Sequence, residues 1–234
     1  NNSTLHLIGL LSDGNVHNHI DYQIQLITQI AKDGIKKIRL HCLLDGRDVK
    51  SRSALNYLKK LNVLIETLKK KNIDIAIASG GGRMITTMDR YNADWKIVER
   101  GYMAHVHGIG NHVSSAEEAI QTAYNQDPNI NDQYIPPFVI TKNNSPIGKI
   151  ISNDTVFLTN FRGDRAIEIS EALESETFTK FDRKSHPKIY YAGIMQYDGD
   201  RNIPKNFLVS PPKINNSLSH YLCQKNIKSL AISE

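Results

Sequence analysis

The amino-acid sequence predicts an α/β fold, a three-layer α/β/α domain with a mainly parallel sheet. Short apolar runs of β type alternate with longer stretches in which apolar residues recur at helical spacing, and this alternation is typical of layered α/β domains. The 234 residues are enough to bury a core without disulfides or metals. We therefore expect one domain over residues 1–234, with a less regular C-terminal third.

The first eighty residues alternate strand and helix signals. Residues 5–11 and 37–44 are short, mostly apolar runs, which predict buried strands. The stretch between them has helical spacing, and Gly34 stands where that helix would end. Residues 52–70 predict a second helix and residues 73–78 a third strand. This order predicts the parallel part of the sheet.

The later elements are less regularly spaced. They are helices at about 91–104, 114–125 and 164–174 and strands near 136–140, 154–159 and 188–194. Proline-rich stretches at 127–137 and 210–212 indicate loops. The sequence starts without Met and stops at Glu234 after the strand-like run SLAIS, so we expect it to be part of a longer protein.

Composition argues against several classes of protein. No apolar stretch approaches the roughly 20 residues of a membrane span, and the first residues lack a signal-peptide pattern. The formal charge is +5, but the lysines are spread along the chain, which favours a solvated surface that attracts small anions over nucleic-acid binding. Cys42 and Cys223 lie in apolar runs and predict buried reduced thiols in a cytoplasmic protein.

Four loops that follow predicted strands carry charged or imidazole side chains. They contain Asp13, His17 and His19; Asp45, Arg47 and Asp48; Arg83, Asp89 and Arg90; and Asn160, Arg162, Asp164 and Arg165. Loops at the carboxyl ends of parallel strands converge at one edge of the sheet, where open α/β folds bind ligands. An even scatter of charge would seldom give this pattern. The loops therefore predict a site for an anionic substrate that bears hydroxyl groups.

Arginine suits such a substrate because its planar fork holds a carboxylate or phosphate by two parallel hydrogen bonds. Arg162 and Arg165 stand near a predicted helix start and could embrace one phosphate, although each alone could equally be a surface ion-pair residue. Asp48 beside Arg47 predicts an ionised carboxylate that accepts a hydroxyl proton; the alternative is a turn aspartate. His17 could donate to an anion or cap a helix.

Two further motifs give no cofactor site. The run SGGGR at 79–83 fits neither of the glycine motifs that bind nucleotides, and we interpret it as a tight turn that presents Arg83. His105, His107 and His112 lack an acidic or thiolate partner at ligand spacing, so we assign no metal to them.

Seven long segments follow one another in the order of a single known family. They are GLLSDGNVHNHI, HCLLDGRD, SGGGRMITTMDRYNADW, NDQYIPPFVI, FLTNFRGDRA, PKIYYAGIMQYDG and SLAISE. Together they span essentially the whole chain, and they resemble cofactor-independent phosphoglycerate mutases. These isomerases interconvert 3-phosphoglycerate and 2-phosphoglycerate in glycolysis and gluconeogenesis. They combine an alkaline-phosphatase-like domain, with a serine nucleophile and two divalent metals (Mn or Mg), and an inserted substrate-binding domain.

The chain resembles the inserted domain alone, and the resemblance implies roles for its loop residues. The roles are Arg83 and Arg90 for the substrate carboxylate, His17, Arg47 and Asp48 for the glycerate hydroxyl region, and Arg162 and Arg165 for the phosphoryl group in transit. Asp48 would help to deprotonate the hydroxyl that attacks the phosphoserine. The resemblance also implies a usually monomeric enzyme. We expect no cofactor in this chain, the phosphatase-like domain of the same polypeptide as its partner, and no activity for the chain alone.

Three departures from the family pattern affect these expectations. SGGGRMITTMDR has one more residue between its arginines than the common bacterial pattern, and Gly163 stands where proline or alanine is usual. The family's active-site lysine falls just beyond Glu234, which predicts weakened phosphate affinity. Two other hypotheses stay open: a stand-alone receptor for small phosphorylated or carboxylated metabolites, and nucleic-acid binding on charge alone.

Overall fold

A computed structural model describes residues 3–211, 214–230 and 232. Its strands are β1 Leu5–Leu11, β2 Lys37–Leu44, β3 Asp74–Gly82, β4 Asn111–Val113, β5 Phe138–Lys142, β6 Ser145–Pro146, β7 Thr155–Leu158, β8 Tyr190–Met195 and β9 Phe207–Val209. Its α-helices are α1 Ile20–Lys32, α2 Ala54–Lys69, α3 Trp95–Tyr102, α4 Ala116–Gln126, α5 Ile167–Glu174 and α6 Leu218–Gln224. A π-helical turn, Met103–His107, follows α3, and a 3-10 turn, Asp132–Tyr134, precedes β5.

The strands form one sheet in the order β4-β5-β3-β2-β1-β7-β8-β9, with β6 paired to β5. The pairings from β3 through β2, β1, β7 and β8 to β9 are all parallel, whereas β5 runs antiparallel to β3. β1 lies between β2 and β7, so the chain builds the sheet outward in both directions from its first strand. The predicted mainly parallel sheet is confirmed.

Helices cover both faces of the sheet, as the three-layer prediction requires. On one face α1, α2 and α4 pack in an apolar cluster that includes Leu7 and Leu58. On the other face α3 and α5 pack in a cluster that includes Ile8, Val98 and Ile169. Neighbouring residues of β1 thus serve opposite cores, because successive side chains of a strand point to opposite faces.

The first two strands have the predicted bounds, but α2 begins at Ala54 rather than at Arg52. Arg52 has a left-handed backbone with φ of 60°. The backbone N–H groups of Ser53 and Ala54 donate to Oδ2 of Asp132 at 2.7 and 2.9 Å. A carboxylate from a distant loop therefore satisfies the free donors of the helix N-terminus and fixes where the helix starts.

The interpretation of the glycine run as a tight turn is wrong, because β3 continues to Gly82. A Cβ at Gly80 would lie 2.3 Å from the carbonyl oxygen of Cys42 and 2.5 Å from the ring of Phe138. A Cβ at Gly82 would lie 2.3 Å from the carbonyl carbon of Gln133. The glycines let β5 and the 3-10 turn approach the end of β3, and Arg83 leaves the strand directly.

The C-terminal part is less regular, as predicted. Cys42 is buried, but Cys223 in α6 is exposed, so the prediction of a second buried thiol is wrong. The predicted strand SLAIS includes Ala231 and Ser233, and the predicted loop at 210–212 includes Pro212; these three residues lie outside the described part. Within the described residues, none of the helices combines the length and apolar character that crossing a membrane demands.

Candidate functional site

The carboxyl ends of β1, β2, β3 and β7 meet at one edge of the sheet, because these four strands are parallel neighbours. Each of the four predicted loops leaves its strand at this edge. The structure brings side chains from all four loops into contact, so the predicted convergence is observed. The contacts differ in detail from the sequence-based expectation, and the buried guanidinium of Arg83 stands at their centre.

Arg83 is only 1% exposed. Its Nη1 donates to Oδ1 of Asp45 at 2.9 Å and to Oδ2 of Asp48 at 2.5 Å. Its Nη2 lies 2.8 Å from Nε2 of His17, while its Nε has no hydrogen-bond partner in the described part of the structure. A buried charge is tolerated only when it is paired and hydrogen-bonded, and two carboxylates supply that pairing here.

His17 is buried beside this guanidinium, and its protonation state follows from the contact. Arginine has no acceptor atom, so Nε2 of His17 accepts from Arg83 and Nδ1 carries the hydrogen. Burial, and then the charge of Arg83, lower the pKa of His17 to about 4. The Nδ1–H has no hydrogen-bond partner among the described residues and lies 3.8 Å from Oδ1 of Asp164. It is available to donate to an anion.

The carboxylates after β2 have different partners from those predicted. The guanidinium that pairs with Asp48 belongs to Arg83 and not to Arg47, whose side chain is exposed. Asp45 is the turn aspartate of this loop: its Oδ1 accepts from the backbone N–H groups of Arg47 and Asp48, each at 3.1 Å, and its Oδ2 accepts from Ser12 at 2.6 Å. Asp48 is therefore free of that local role and faces the site.

Asp164 joins the remaining loops. Its Oδ2 accepts from Nη1 of Arg90 at 3.0 Å, and its Oδ1 lies 3.0 Å from Nε of Arg162. Burial alone would raise the pKa of Asp164, but Arg90, His17 and Arg162 together hold it below its usual range. No role was predicted for Asp164 from the sequence, although it lies in the predicted loop. Its position between Arg162 and Arg165 was the sequence feature that could have indicated an ion pair.

Arg165 has different surroundings from Arg162. It is buried, and its Nη1 donates to the carbonyl oxygen of Met88 at 2.6 Å. Burial, followed by the charges of Arg90 and Arg83, lowers the pKa of Arg165. The role of Arg165 towards a phosphoryl group stays a prediction.

Several other loop residues have local structural partners. His19 caps α1, because its Nδ1 accepts from the backbone N–H of Asp21 at 3.2 Å. Asp13 accepts from the hydroxyl of Tyr57 at 2.6 Å, and Asp89 accepts from the backbone N–H of Asp94 at 2.7 Å. These side chains shape the loops that carry the arginines.

The histidines at positions 105, 107 and 112 and the acidic side chains are the residue types that could bind a metal ion. Among the described residues no three or more His, Cys, Asp or Glu side chains form a group that could hold a metal ion. His107 and His112 instead have backbone carbonyl partners at 2.8 and 3.1 Å, on Arg183 and Gly108 respectively. No described side chain is therefore assigned to a metal.

Comparison with known proteins identifies the family. The model of the BPG-independent phosphoglycerate mutase N-terminus matches residues 1–199. The chain belongs to this family. It is 56% identical over 234 residues to a Leptospira interrogans protein described as a probable 2,3-bisphosphoglycerate-independent phosphoglycerate mutase. It is 49% identical over 232 residues to the corresponding mutase of Trypanosoma brucei brucei.

A solved structure supports both the family and the fold. The phosphoglycerate mutase of Leishmania mexicana, crystallised at low cobalt concentration, matches with a TM-score of 0.92 and 50% identity over 96% of this chain. That match covers 41% of the Leishmania chain, and the Leptospira and Trypanosoma matches cover 43% and 42% of those mutases. The chain thus spans less than half the length of these phosphoglycerate mutases.

Proposed function

We propose that this chain is the substrate-binding domain of a phosphoglycerate mutase that interconverts 3-phosphoglycerate and 2-phosphoglycerate through a phosphoserine intermediate. The observation that carries the proposal is the contact of four loops at one sheet edge, where Arg83, Arg90, Arg162 and Arg165 face Asp45, Asp48 and Asp164. Arg90 and Arg162 are partly exposed at this edge, and exposed guanidinium groups attract small anions.

Arg90 and Arg162 are the groups best able to take a new ligand. Both are partly exposed, and each is ion-paired with the same carboxylate, that of Asp164. A substrate carboxylate or phosphate offers the same two-oxygen geometry that Asp164 presents, so it can compete for or share both guanidinium groups. The Nδ1–H of His17, which lies beside Asp164, supplies a further donor.

Asp48 has the role of general base in this proposal. As a glycerate hydroxyl attacks the phosphorus of the phosphoserine, a new oxygen–phosphorus bond forms and the bond to the serine oxygen breaks. The hydroxyl proton passes to the Asp48 carboxylate. The arginines stabilise the charge on the phosphoryl oxygens during transfer. The serine and the two divalent metals, Mn or Mg, would come from the phosphatase-like domain of the same polypeptide.

Calorimetric titration of the 234-residue chain with 3-phosphoglycerate tests the binding role. We expect saturable binding that Arg90→Ala weakens by roughly 10- to 100-fold, the effect of losing one hydrogen bond to a charged group. The matched control is Arg201→Ala, because Arg201 is also a partly exposed arginine that is ion-paired with carboxylates, those of Glu171 and Asp198, but it lies outside the site. We expect that variant to bind like the wild type.

Sulfate titration separates this proposal from a general anion receptor. A substrate site should prefer 3-phosphoglycerate, because it offers a carboxylate and a hydroxyl in addition to the phosphate. Equal affinity for sulfate and 3-phosphoglycerate would contradict the proposal and favour a stand-alone anion-binding module. Turnover by the purified chain, with contaminating mutase excluded, would contradict the expected inactivity of the domain alone.

The proposal also covers the whole protein, which we propose to be a cytoplasmic, monomeric enzyme of glycolysis and gluconeogenesis.

A further inference from the structure

A second group of polar side chains lies inside the sheet, apart from the arginine cluster. His6 of β1, His41 of β2 and Ser79 of β3 stand in neighbouring strands, and His105 lies in the π-helical turn that packs beside them. All four are at most 1% exposed. We call these four residues, together with Asp154 and Thr87 at the two ends, the histidine network.

The histidine network is one continuous series of hydrogen bonds. Nε2 of His6 lies 3.1 Å from Oδ2 of Asp154, and Nδ1 of His6 lies 2.9 Å from Nε2 of His41. Oγ of Ser79 lies 2.7 Å from Nδ1 of His41 and 2.8 Å from Nδ1 of His105. Nε2 of His105 lies 2.9 Å from Oγ1 of Thr87. Every ring nitrogen in the series has a partner.

The donor and acceptor of each hydrogen bond in the network can be assigned by starting from the carboxylate of Asp154. Asp154 already accepts from the backbone N–H groups of Thr4 at 2.8 Å and Ile151 at 3.0 Å. Burial alone would raise the pKa of Asp154, but the hydrogen bonds from His6, Thr4 and Ile151 hold it below its usual range. An ionised carboxylate only accepts, so Nε2 of His6 carries a hydrogen and donates to it.

Each further donor is then fixed in turn. Nδ1 of His6 accepts from Nε2–H of His41, and Nδ1 of His41 accepts from the hydroxyl of Ser79. Oγ of Ser79 accepts from Nδ1–H of His105, and Nε2 of His105 accepts from the hydroxyl of Thr87. The series therefore has one arrangement in which all three imidazoles are neutral and every donor has an acceptor.

Burial supports the neutral arrangement. It lowers the pKa of all three imidazoles, to about 3 for His105. The charged groups that face them are Asp154, Arg39 and Lys37, of which the two cations further oppose protonation of His6. A hydrogen-bonded network in a buried site is rigid when all its members are satisfied.

The network ends on the loop that carries the candidate substrate arginines. Thr87 has a left-handed backbone with φ of 76°, which is unusual for a β-branched residue. Its N–H donates to the carbonyl oxygen of Ile97 at 2.8 Å. The next residue, Met88, accepts from Arg165 at 2.6 Å, and Arg90 follows two positions later. The hydroxyl bond to His105 thus anchors the loop between Arg83 and Arg90.

We propose that the histidine network positions this loop: its fixed order of tautomers holds Thr87 in the left-handed conformation, and Thr87 in turn sets the directions of Met88 and Arg90. The network residues do not touch the substrate, and they act through the loop. The link to substrate affinity rests on the proposed function, because it requires Arg90 and Arg165 to meet the ligand.

The first test reads the tautomers directly in the 234-residue chain without ligand. In nitrogen-15 correlation spectra of the histidine-labelled protein, we expect the hydrogen on Nε2 of His6, on Nε2 of His41 and on Nδ1 of His105. All three rings should be neutral at pH 7.5. A hydrogen on Nε2 of His105, or a ring that is charged at pH 7.5, would overturn the proposal whatever the substrate is.

The second test compares Thr87→Val with Thr87→Ser. Valine keeps the branched shape but loses the hydroxyl, whereas serine keeps the hydroxyl. We expect Thr87→Val to speed amide hydrogen exchange at Thr87 and Met88 and to weaken 3-phosphoglycerate binding by roughly tenfold, the effect of about one hydrogen bond. Thr87→Ser should stay within about twofold of the wild type by both readouts. The control is Thr28→Val, because the Thr28 hydroxyl donates within α1 to Ile24 at 2.7 Å, away from the network.

The outcomes separate the two proposals. Equal exchange and equal affinity for Thr87→Val, Thr87→Ser and wild type would overturn the positioning role. Failure of the wild-type chain to bind 3-phosphoglycerate would count against the proposed function, and the tautomer and exchange readouts would then still decide the network. A lowered melting temperature in Thr87→Val with unchanged exchange at the loop would mean a role in stability alone, and it would also overturn the proposal.

Discussion

Arg83 and Arg162 follow two strands that end at the same edge of the sheet, yet one guanidinium group is buried and the other is exposed. Arg83 is 1% exposed and is held by Asp45, Asp48 and His17. The Arg162 side chain is 46% exposed and is ion-paired with Asp164. The buried guanidinium belongs to the fold as well as to the site, whereas the exposed one can move towards a ligand. Substitutions at the two positions therefore report on different properties.

The largest expected difference is in stability. Arg83→Met should lower the free energy of unfolding by about 3–5 kcal/mol, because it leaves the Asp45 and Asp48 carboxylates without their buried counter-charge. Arg162→Met should change it by at most about 1 kcal/mol, as for other exposed ion pairs. Urea denaturation of the two variants measures both values. Similar losses at the two positions would show that burial does not distinguish them.

A comparison of buried and exposed groups can also be made by lowering the pH. Acid should destabilise the folded protein, because the buried imidazoles are neutral in the folded state and take up protons on unfolding. The folded pKa values of His17 and His105 are about 4 and about 3, below the ordinary value of about 6.5. At a pH between the folded and the ordinary pKa values, these imidazoles are protonated in the unfolded chain but neutral in the folded chain. The stability contributed by these imidazoles is therefore complete above pH 6.5 and falls with decreasing pH, by at most about 1.4 kcal/mol per pH unit for each buried imidazole.

Denaturation curves at pH 7.5, 6.0 and 5.0 measure this slope. Aspartates contribute little in this window, but burial raises the pKa of Glu168 to about 7. The folded chain takes up that proton before the unfolded chain does, so Glu168 opposes the slope by at most the contribution of one imidazole. His112→Gln is the control, because His112 is exposed and should leave the slope unchanged. A stability that is constant from pH 7.5 to 5.0 would contradict neutral, buried imidazoles in the fold.

The smallest expected effect lies in the loop of Arg162. A Cβ at Gly163 would lie 2.8 Å from the carbonyl oxygen of Tyr197, whereas a Cβ at Gly199 would lie 3.8 Å from its nearest neighbour, Gln196. Gly163→Ala should cost about 1 kcal/mol and lower the melting temperature by about 2–4 °C. Gly199→Ala should leave the melting temperature unchanged. Thermal denaturation of the pair decides whether Gly163 is required by the close approach of Tyr197.

The sequence was sufficient for features that depend on local pattern. The bounds of β1 and β2 could be predicted because each is a short, mostly apolar run, as expected for a strand that is buried on both faces. The meeting of charged loops at one edge followed from the parallel order of the strands. Both inferences need only nearby residues and general rules of α/β topology.

Features that depend on distant contacts could not be predicted from local pattern. The start of α2 is set by the Asp132 carboxylate, about eighty residues away in the chain. The glycine run lies in a strand because β5 approaches it from a later part of the chain. A distant contact also explains why Asp48 pairs with Arg83 instead of its neighbour Arg47. Arg83 follows β3 directly, and its guanidinium group points inward to Asp48.

The pairing of β1 with β7 has a consequence for folding kinetics. It joins residues that are 150 positions apart, such as Leu5 and Thr155, whereas β1 and β2 pair over a short stretch of chain. Contacts of long sequence separation form slowly, because a large loop must close first. During synthesis the Arg83 loop therefore exists before Asp164, and the sheet edge that carries the arginine loops is expected to be among the last parts of the protein to assemble.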